Sequence, residues 1–258
     1  MKLSVILIAV GACGASEPAR PRGLDAPSPY MELEVPGHAP AVVSLPLGAT
    51  SKRPVIVATH GAGDRGEYHC ELWRRIVENR AFVLCPQGRR MNDGVSHEES
   101  YYFYPDHFKL EREVLDALAA LEKRFPKYVD ASAAMYTGFS QGAIQGALVL
   151  VLHPDVFPRA LLVEGGHGSY KEWSPYAARK YKDGGGKRVM FACGSHYCVD
   201  SARRSARYLD KVGVATNIAH AQGAGHSYGE TMETELKRTW EWVVEDDPRF
   251  KAAPPLEE

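Results

Sequence analysis

Two hydrophobic rhythms alternate along most of this chain. Short β-branched or apolar runs at Pro54–Thr59, Ala81–Cys85, Ala133–Thr137, Ala160–Glu164, Arg188–Cys193 and Ala215–His220 predict strands buried on both faces. Met31–Val35 and Ala41–Leu47 predict two further strands around a turn at Pro36-Gly37. The segments between carry helical spacing. Leu72, Ile76 and Val77 mark a helix over Tyr68–Asn79. Leu110, Val114, Leu115, Leu118, Leu121 and Phe125 mark one over Phe108–Phe125, which Pro126 stops. Further helices are predicted over Gln141–Leu152, Ser201–Val212 and Glu230–Glu245. Alternation of this kind implies an α/β fold, a mostly parallel central sheet with helices on both faces. Ligands of such sheets bind at the carboxyl ends of the strands.

The pattern breaks at the two ends. Leu3 to Val10 is an apolar run behind Met1-Lys2, too short to span a bilayer. It fits the core of a signal peptide over residues 1–12. Small residues and a cysteine follow, Val10-Gly11-Ala12-Cys13, which resembles the lipidation box of bacterial lipoproteins. Cys13 would then be the lipidated first residue of the mature chain. The other reading is an ordinary secretory signal cut near Ala12 or Ala15. Residues 13–29 hold four prolines (Pro18, Pro21, Pro27, Pro29) and no aromatic residue, the composition of a tether. Residues 251–258 read as a flexible tail. The interval 30–250 is expected to be one domain. Both readings of the start imply export, either lipid-anchored in a bacterial cell envelope on its periplasmic or outer-membrane side, or secreted.

Composition sharpens this only slightly. The chain has 258 residues, 45% hydrophobic and 24% charged, within the globular range. Lys+Arg 31 against Asp+Glu 32 leaves a net charge of -1, with no basic surplus to bind nucleic acid or an anionic membrane surface. Membrane contact is therefore expected through a lipid anchor alone.

Three segments carry candidate chemistry, each at a predicted strand end. Gly138-Phe139-Ser140-Gln141-Gly142 is a G-x-S-x-G pattern between strand Ala133–Thr137 and helix Gln141–Leu152. That setting is what a nucleophile elbow requires, with Ser140 as nucleophile. His60-Gly61-Ala62-Gly63 follows strand Pro54–Thr59. Acyl transfer needs two N–H donors aimed at an oxyanion, and Ala62 and Gln141 occupy the expected places. Gly223-Ala224-Gly225-His226 follows the last strand, where a histidine base belongs. His226 is the candidate base, and His60 is expected to shape the oxyanion loop.

These motifs, His60-Gly-Ala-Gly-Asp-Arg-Gly66, Cys85-Pro-Gln-Gly88, Gly138-Phe-Ser-Gln-Gly-Ala143 and Gly223-Ala-Gly-His226, stand in one order. In that order they resemble the α/β-hydrolases of the phospholipase/carboxylesterase group, which includes acyl-protein thioesterases and dienelactone hydrolase-like enzymes. The resemblance spans roughly Pro54 to Trp242. It implies the α/β-hydrolase fold and hydrolysis of small-molecule or lipid-like carboxylic esters or thioesters. It implies no metal and no organic cofactor. A non-catalytic binding protein on the same scaffold, a serine peptidase and a polyester depolymerase are the alternatives.

The chain departs from the family at the acid. The family aspartate would fall on Tyr197. Glu164, at the end of strand Ala160–Glu164, and Asp200 are the two substitutes, with Glu164 preferred. Asp200 could instead cap the helix expected from Ser201. A Ser–His dyad or an inactive relic also remains open. Tyr102 and Trp173, with Tyr170, either line a substrate pocket or anchor loops by packing. The count of five cysteines divides into Cys13 and four others. A helix antiparallel to strand Ala81–Cys85 brings Cys70 to the sheet end that holds Cys85, which predicts a disulfide. Cys193 and Cys198 bracket the divergent acid loop and predict a second. No C-x-x-C or H-E-x-x-H pattern suggests a metal.

The lipoprotein reading makes a direct prediction. Radiolabelled palmitate should enter the protein in a bacterial host, and a Cys13→Ser variant should lose the label.

Overall fold

The computed structural model describes residues 23–92, 94, 96–97, 99–168 and 172–251. The signal segment, Cys13, Tyr170 and residues 252–258 lie outside the described residues. In chain order the elements are β1 (Tyr30–Leu33), β2 (Ala41–Ser44), β3 (Arg53–Thr59), α1 (Gly66–Val77), β4 (Phe82–Cys85), β5 (Arg89–Arg90), β6 (Tyr102–Phe103) and α2 (His107–Arg124). They continue with β7 (Val129–Phe139), α3 (Gln141–Leu152), β8 (Arg159–Val163), α4 (Pro175–Asp183), β9 (Arg188–Cys193), α5 (His196–Lys211), β10 (Ala215–His220), α6 (Glu230–Thr239) and α7 (Glu241–Val244).

Eight strands form one sheet in the order β1-β2-β4-β3-β7-β8-β9-β10. β1 and β2 are antiparallel to their neighbours, and the remaining pairs are parallel. Both faces are covered because alternate residues of one strand serve different cores. Val55 and Val57 pack with Leu110 and Val114 of α2 and with Ala143 and Ala147 of α3. Ile56 and Ala58 pack with Trp73 and Ile76 of α1 and with Met232 and Leu236 of α6. Burial on both faces accounts for the apolar runs Val55–Ala58 in β3, Phe82–Cys85 in β4 and Ala160–Val163 in β8. Among the described residues no helix is long and apolar enough to cross a membrane.

The sheet register lines up the strand ends that matter. Thr59 pairs with Gly138, Phe139 with Val163, and Val163 with Ala192. The chain therefore leaves β3, β7, β8 and β9 along one edge.

Several boundaries differ from the sequence expectation. The packed structure starts before Tyr30. Leu24 is buried, its N–H donates to the Ala49 carbonyl and its own carbonyl accepts from Gly48. α5 starts at His196 rather than Ser201, because the Ser195 side chain accepts from the Cys198 N–H and caps it. α4 was not expected; Ser174 caps it and Pro175 opens it, but it buries only Ala178 and Tyr181. The expected final helix is divided at Trp240 into α6 and α7.

Both disulfides are formed. Cys70 and Cys85 join α1 to the end of β4 with Cα atoms 5.9 Å apart. Cys193 and Cys198 close the β9–α5 turn with Cα atoms 5.4 Å apart. Unfolded, unreduced protein should accordingly release no thiol from these four cysteines in a thiol titration. Replacing Cys70 and Cys85 by serine should lower stability by about 3 kcal/mol, the chain-entropy value for a loop of this length, measured by denaturant unfolding.

Candidate active site

Ser140 sits between the end of β7 and the start of α3 with φ 49 and ψ -115. This left-handed backbone is strained for any residue with a Cβ, at a cost on the order of 1–3 kcal/mol. Close packing on both sides enforces it. A Cβ on Gly138 would lie 2.6 Å from the Gly142 carbonyl carbon, and one on Gly142 2.7 Å from the His60 carbonyl oxygen. The Ser140 N–H donates to the Val163 carbonyl at 3.0 Å, and the Gly142 N–H donates to the His60 carbonyl at 3.0 Å. The turn thus joins β8 and the loop after β3.

Ser140 Oγ lies 2.9 Å from His226 Nε2. His226 Nδ1 lies 3.3 Å from Glu164 Oε2. The Glu164 side chain is 5% exposed, whereas that of His226 is 58% exposed. The Gly194 N–H donates to Glu164 Oε1, so each carboxylate oxygen has a partner. That pairing is what a buried carboxylate needs. Glu164 is itself in the left-handed region, at φ 51. A hydroxyl, an imidazole and a buried carboxylate therefore form one hydrogen-bonded chain, the geometry of a nucleophile, its base and the group that orients the base.

The other acid candidate is displaced by the early start of α5. Asp200 lies inside that helix, exposed, 3.1 Å from Arg203, and plays no capping part. Tyr197 is 70% exposed in the first turn, its ring edge-on to His167.

The loop after β3 lies against the serine. A Cβ on Gly61 would be 3.3 Å from Ser140 Cβ. Gln141 is the first residue of α3, so its N–H has no acceptor within the helix. The Gly63 N–H is taken up by the Tyr102 carbonyl at 2.9 Å, and Ala62 is exposed beside it. His60 is buried, with Nδ1 2.7 Å from the Gly61 carbonyl and Nε2 2.8 Å from the Gln87 carbonyl. Burial, helped by nearby His69, lowers its pKa to about 4 while the two carbonyls pull the other way, and a neutral ring donates to one of them only.

A second layer that the motifs did not single out braces this loop. Gln87 accepts from the Gly66 N–H at 2.8 Å and donates to Glu67 at 2.9 Å. Glu67 also meets Arg65 at 3.0 Å and His97 at 2.7 Å. Burial alone would raise the Glu67 pKa, but hydrogen bonds from Arg65, Gln87, His97 and its own backbone bring it down to about 2. The Cys85-Pro-Gln-Gly88 motif was the available signal for Gln87.

Of the two readings open for Tyr102 and Trp173, their contacts match the packing one. Tyr102 is buried, its hydroxyl 2.6 Å from His97 Nδ1 and its N–H on the Asp64 carbonyl, so it clamps the loop from β6. Trp173 is buried edge-on against Tyr181 and donates to the Gly166 carbonyl at 2.9 Å. A cavity of about 370 Å³ opens beside Ser140 and His226 without either of them. Glu164, Cys193 and Cys198 offer ligand atoms within 4.8 Å of one another, but the two sulfurs are joined in a disulfide and are not thiolates.

No protein-family model matches the sequence, and no curated protein matches it. Solved structures do resemble the fold. The S-formylglutathione hydrolase of Agrobacterium tumefaciens superposes with a TM-score of 0.59 at 15% identity, covering 84% of this chain and 93% of its own. The Bacillus cereus carboxylesterase gives 0.53 at 18% identity, covering 79% and 93%. A candidate dienelactone hydrolase from Klebsiella pneumoniae gives 0.62 at 19% identity, covering 83% and 98%. Strand order, crossovers and these likenesses agree on one architecture: this chain has the α/β-hydrolase fold.

Proposed function

We propose that the protein is a serine hydrolase that cleaves carboxylic esters or thioesters through an acyl-enzyme on Ser140. The observation that carries this reading is the unbroken contact from Ser140 Oγ to His226 to Glu164. His226 takes the serine proton as Oγ attacks the carbonyl carbon, and returns it to the leaving alcohol or thiol. Glu164 fixes the imidazole orientation and stabilises the imidazolium. The N–H groups of Gln141 and Ala62 receive the oxyanion. Water, activated by the same histidine, then releases the acid. The esterase-type neighbours are consistent with a small-molecule ester as substrate.

The binding-protein alternative rested on a missing acid, and a carboxylate stands next to His226. Among the described residues of the site none is specific to a peptide or polyester substrate. We also propose export with a lipid anchor at Cys13; two disulfides in the domain are compatible with an oxidising compartment.

A fluorophosphonate probe should label the wild type, and Ser140→Ala should abolish both labelling and p-nitrophenyl acetate hydrolysis. Parallel amide substrates should be turned over far more slowly. Absence of labelling would support the binding protein. Glu164→Gln should reduce kcat by up to about 10⁴, the loss seen when an orienting carboxylate is neutralised in a well-studied triad. Asp200→Asn should leave kcat unchanged. The opposite ranking would move the acid role to Asp200.

A further inference from the structure

The turn after β9 touches both members of the proposed acid–base pair. Among the described residues the Glu164 carboxylate has two hydrogen-bond partners, His226 on Oε2 and the Gly194 N–H on Oε1. The contact with His226 is 3.3 Å long, at the far edge of the N–H···O range, so a small rotation of the carboxylate would break it. The Gly194 N–H is therefore the group that fixes the carboxylate against rotation. Gly194 also faces the loop that carries the histidine. A Cβ on Gly194 would lie 2.2 Å from the Gly225 carbonyl oxygen, and Gly225 is the residue before His226. One residue earlier, the Cys193 carbonyl accepts from the Ala221 N–H at 2.9 Å, where that loop leaves β10.

The Cys193–Cys198 disulfide closes this turn. Both cysteines are buried, and a Glu164 carboxylate oxygen lies within 4.8 Å of both sulfurs, so the crosslink sits directly beside the acid. Loop closure stabilises a fold less as the loop shortens. Stability is thus a weaker account of this crosslink, with a sequence separation of 5, than of Cys70–Cys85, with a separation of 15. What the short crosslink does fix is the path of Gly194 between β9 and α5.

We propose that the Cys193–Cys198 disulfide is a positioning device: it holds the Gly194 N–H on Glu164 and so keeps the carboxylate turned toward His226. The proposal rests on the hydrolase reading above, and it makes full turnover depend on the oxidised pair. The bond forms as the two thiols give up two protons and two electrons to a disulfide oxidant, which is itself reduced to two thiols. With the thiols free, the turn loses its closure. Two S–H donors then stand beside the carboxylate and compete for the oxygen that faces His226.

The test is a cycle of variants read with p-nitrophenyl acetate. Cys193→Ala/Cys198→Ala should lower kcat by about tenfold or more, the worth of a hydrogen bond to a charged group, and leave KM nearly unchanged. In the Glu164→Gln background the same double substitution should lower kcat no further, because the carboxylate it positions is gone. Wild type isolated with its thiols free should gain kcat by a similar factor as oxidised glutathione closes the Cys193–Cys198 bond, read by alkylation and peptide mapping. The double variant, which keeps Cys70 and Cys85, should gain nothing from the same treatment. Circular dichroism and melting curves establish that each protein is folded. Should the double variant or the reduced chain fail to fold, Gly194→Ala, which keeps both cysteines and drives a Cβ against Gly225, carries the test in the same two backgrounds. An unchanged kcat in the folded variant, or an equal loss in both backgrounds, marks a merely structural crosslink and overturns the proposal; turnover and fluorophosphonate labelling of Ser140 would leave the hydrolase reading standing. An unchanged kcat in Glu164→Gln overturns the proposal together with the acid role of Glu164. No turnover and no labelling of the wild type overturns both the proposal and the hydrolase reading.

Discussion

The site depends on one backbone constraint, the left-handed turn at Ser140. Its neighbours pack closely around it. Gly138 and Gly142 approach each other and the loop after β3 within distances that exclude a Cβ. The same turn is hydrogen-bonded through Ser140 to β8 and through Gly142 to His60. Strain at one residue therefore sets three relationships at once: Ser140 to Glu164, Ser140 to the loop after β3, and Ser140 to the N-terminus of α3. Moving the turn would move all three.

The position of Glu164, the proposed acid, follows from the adjoining strands. Val163 pairs with Ala192, so Glu164 emerges beside Gly194 and receives its N–H. After β9 the chain has no comparable freedom. The Cys193–Cys198 disulfide and the Ser195 cap turn it directly into α5, which sends Tyr197 to the surface and Asp200 into the helix. A carboxylate at the Tyr197 position would be exposed in a helical first turn rather than buried against His226. The same turn supplies Ser195 and Tyr197 to the wall of the cavity. One short, crosslinked loop thus both leaves Glu164 as the carboxylate beside His226 and contributes to the cavity wall.

Strands buried on both faces were the most legible part of the sequence. β3, β4 and β9 are apolar runs, and their neighbours α1 and α2 have unambiguous periodicity. The proposed serine and histidine were readable because their roles demand a strand end and a turn. The beginning of α5 was not, because His196-Tyr-Cys-Val-Asp200 has no apolar period and its helix is set by a cap and a crosslink. Tyr102 and Trp173 were ambiguous for a different reason. An aromatic residue in a loop near a site has the same composition whether it faces substrate or backbone, and only tertiary packing separates the two. The brace formed by Gln87, Glu67 and His97 joins three separate segments, which no local pattern can disclose.

The proposed chemistry requires that a covalent ester form on Ser140 during turnover. Acid quenching of wild-type protein in the steady state with p-nitrophenyl acetate, followed by peptide mapping by mass spectrometry, observes that species directly. The account predicts one added acetyl group on the peptide that contains Ser140, and none in Ser140→Ala. Turnover with no acetylated peptide, or acetylation confined to another residue, would contradict it.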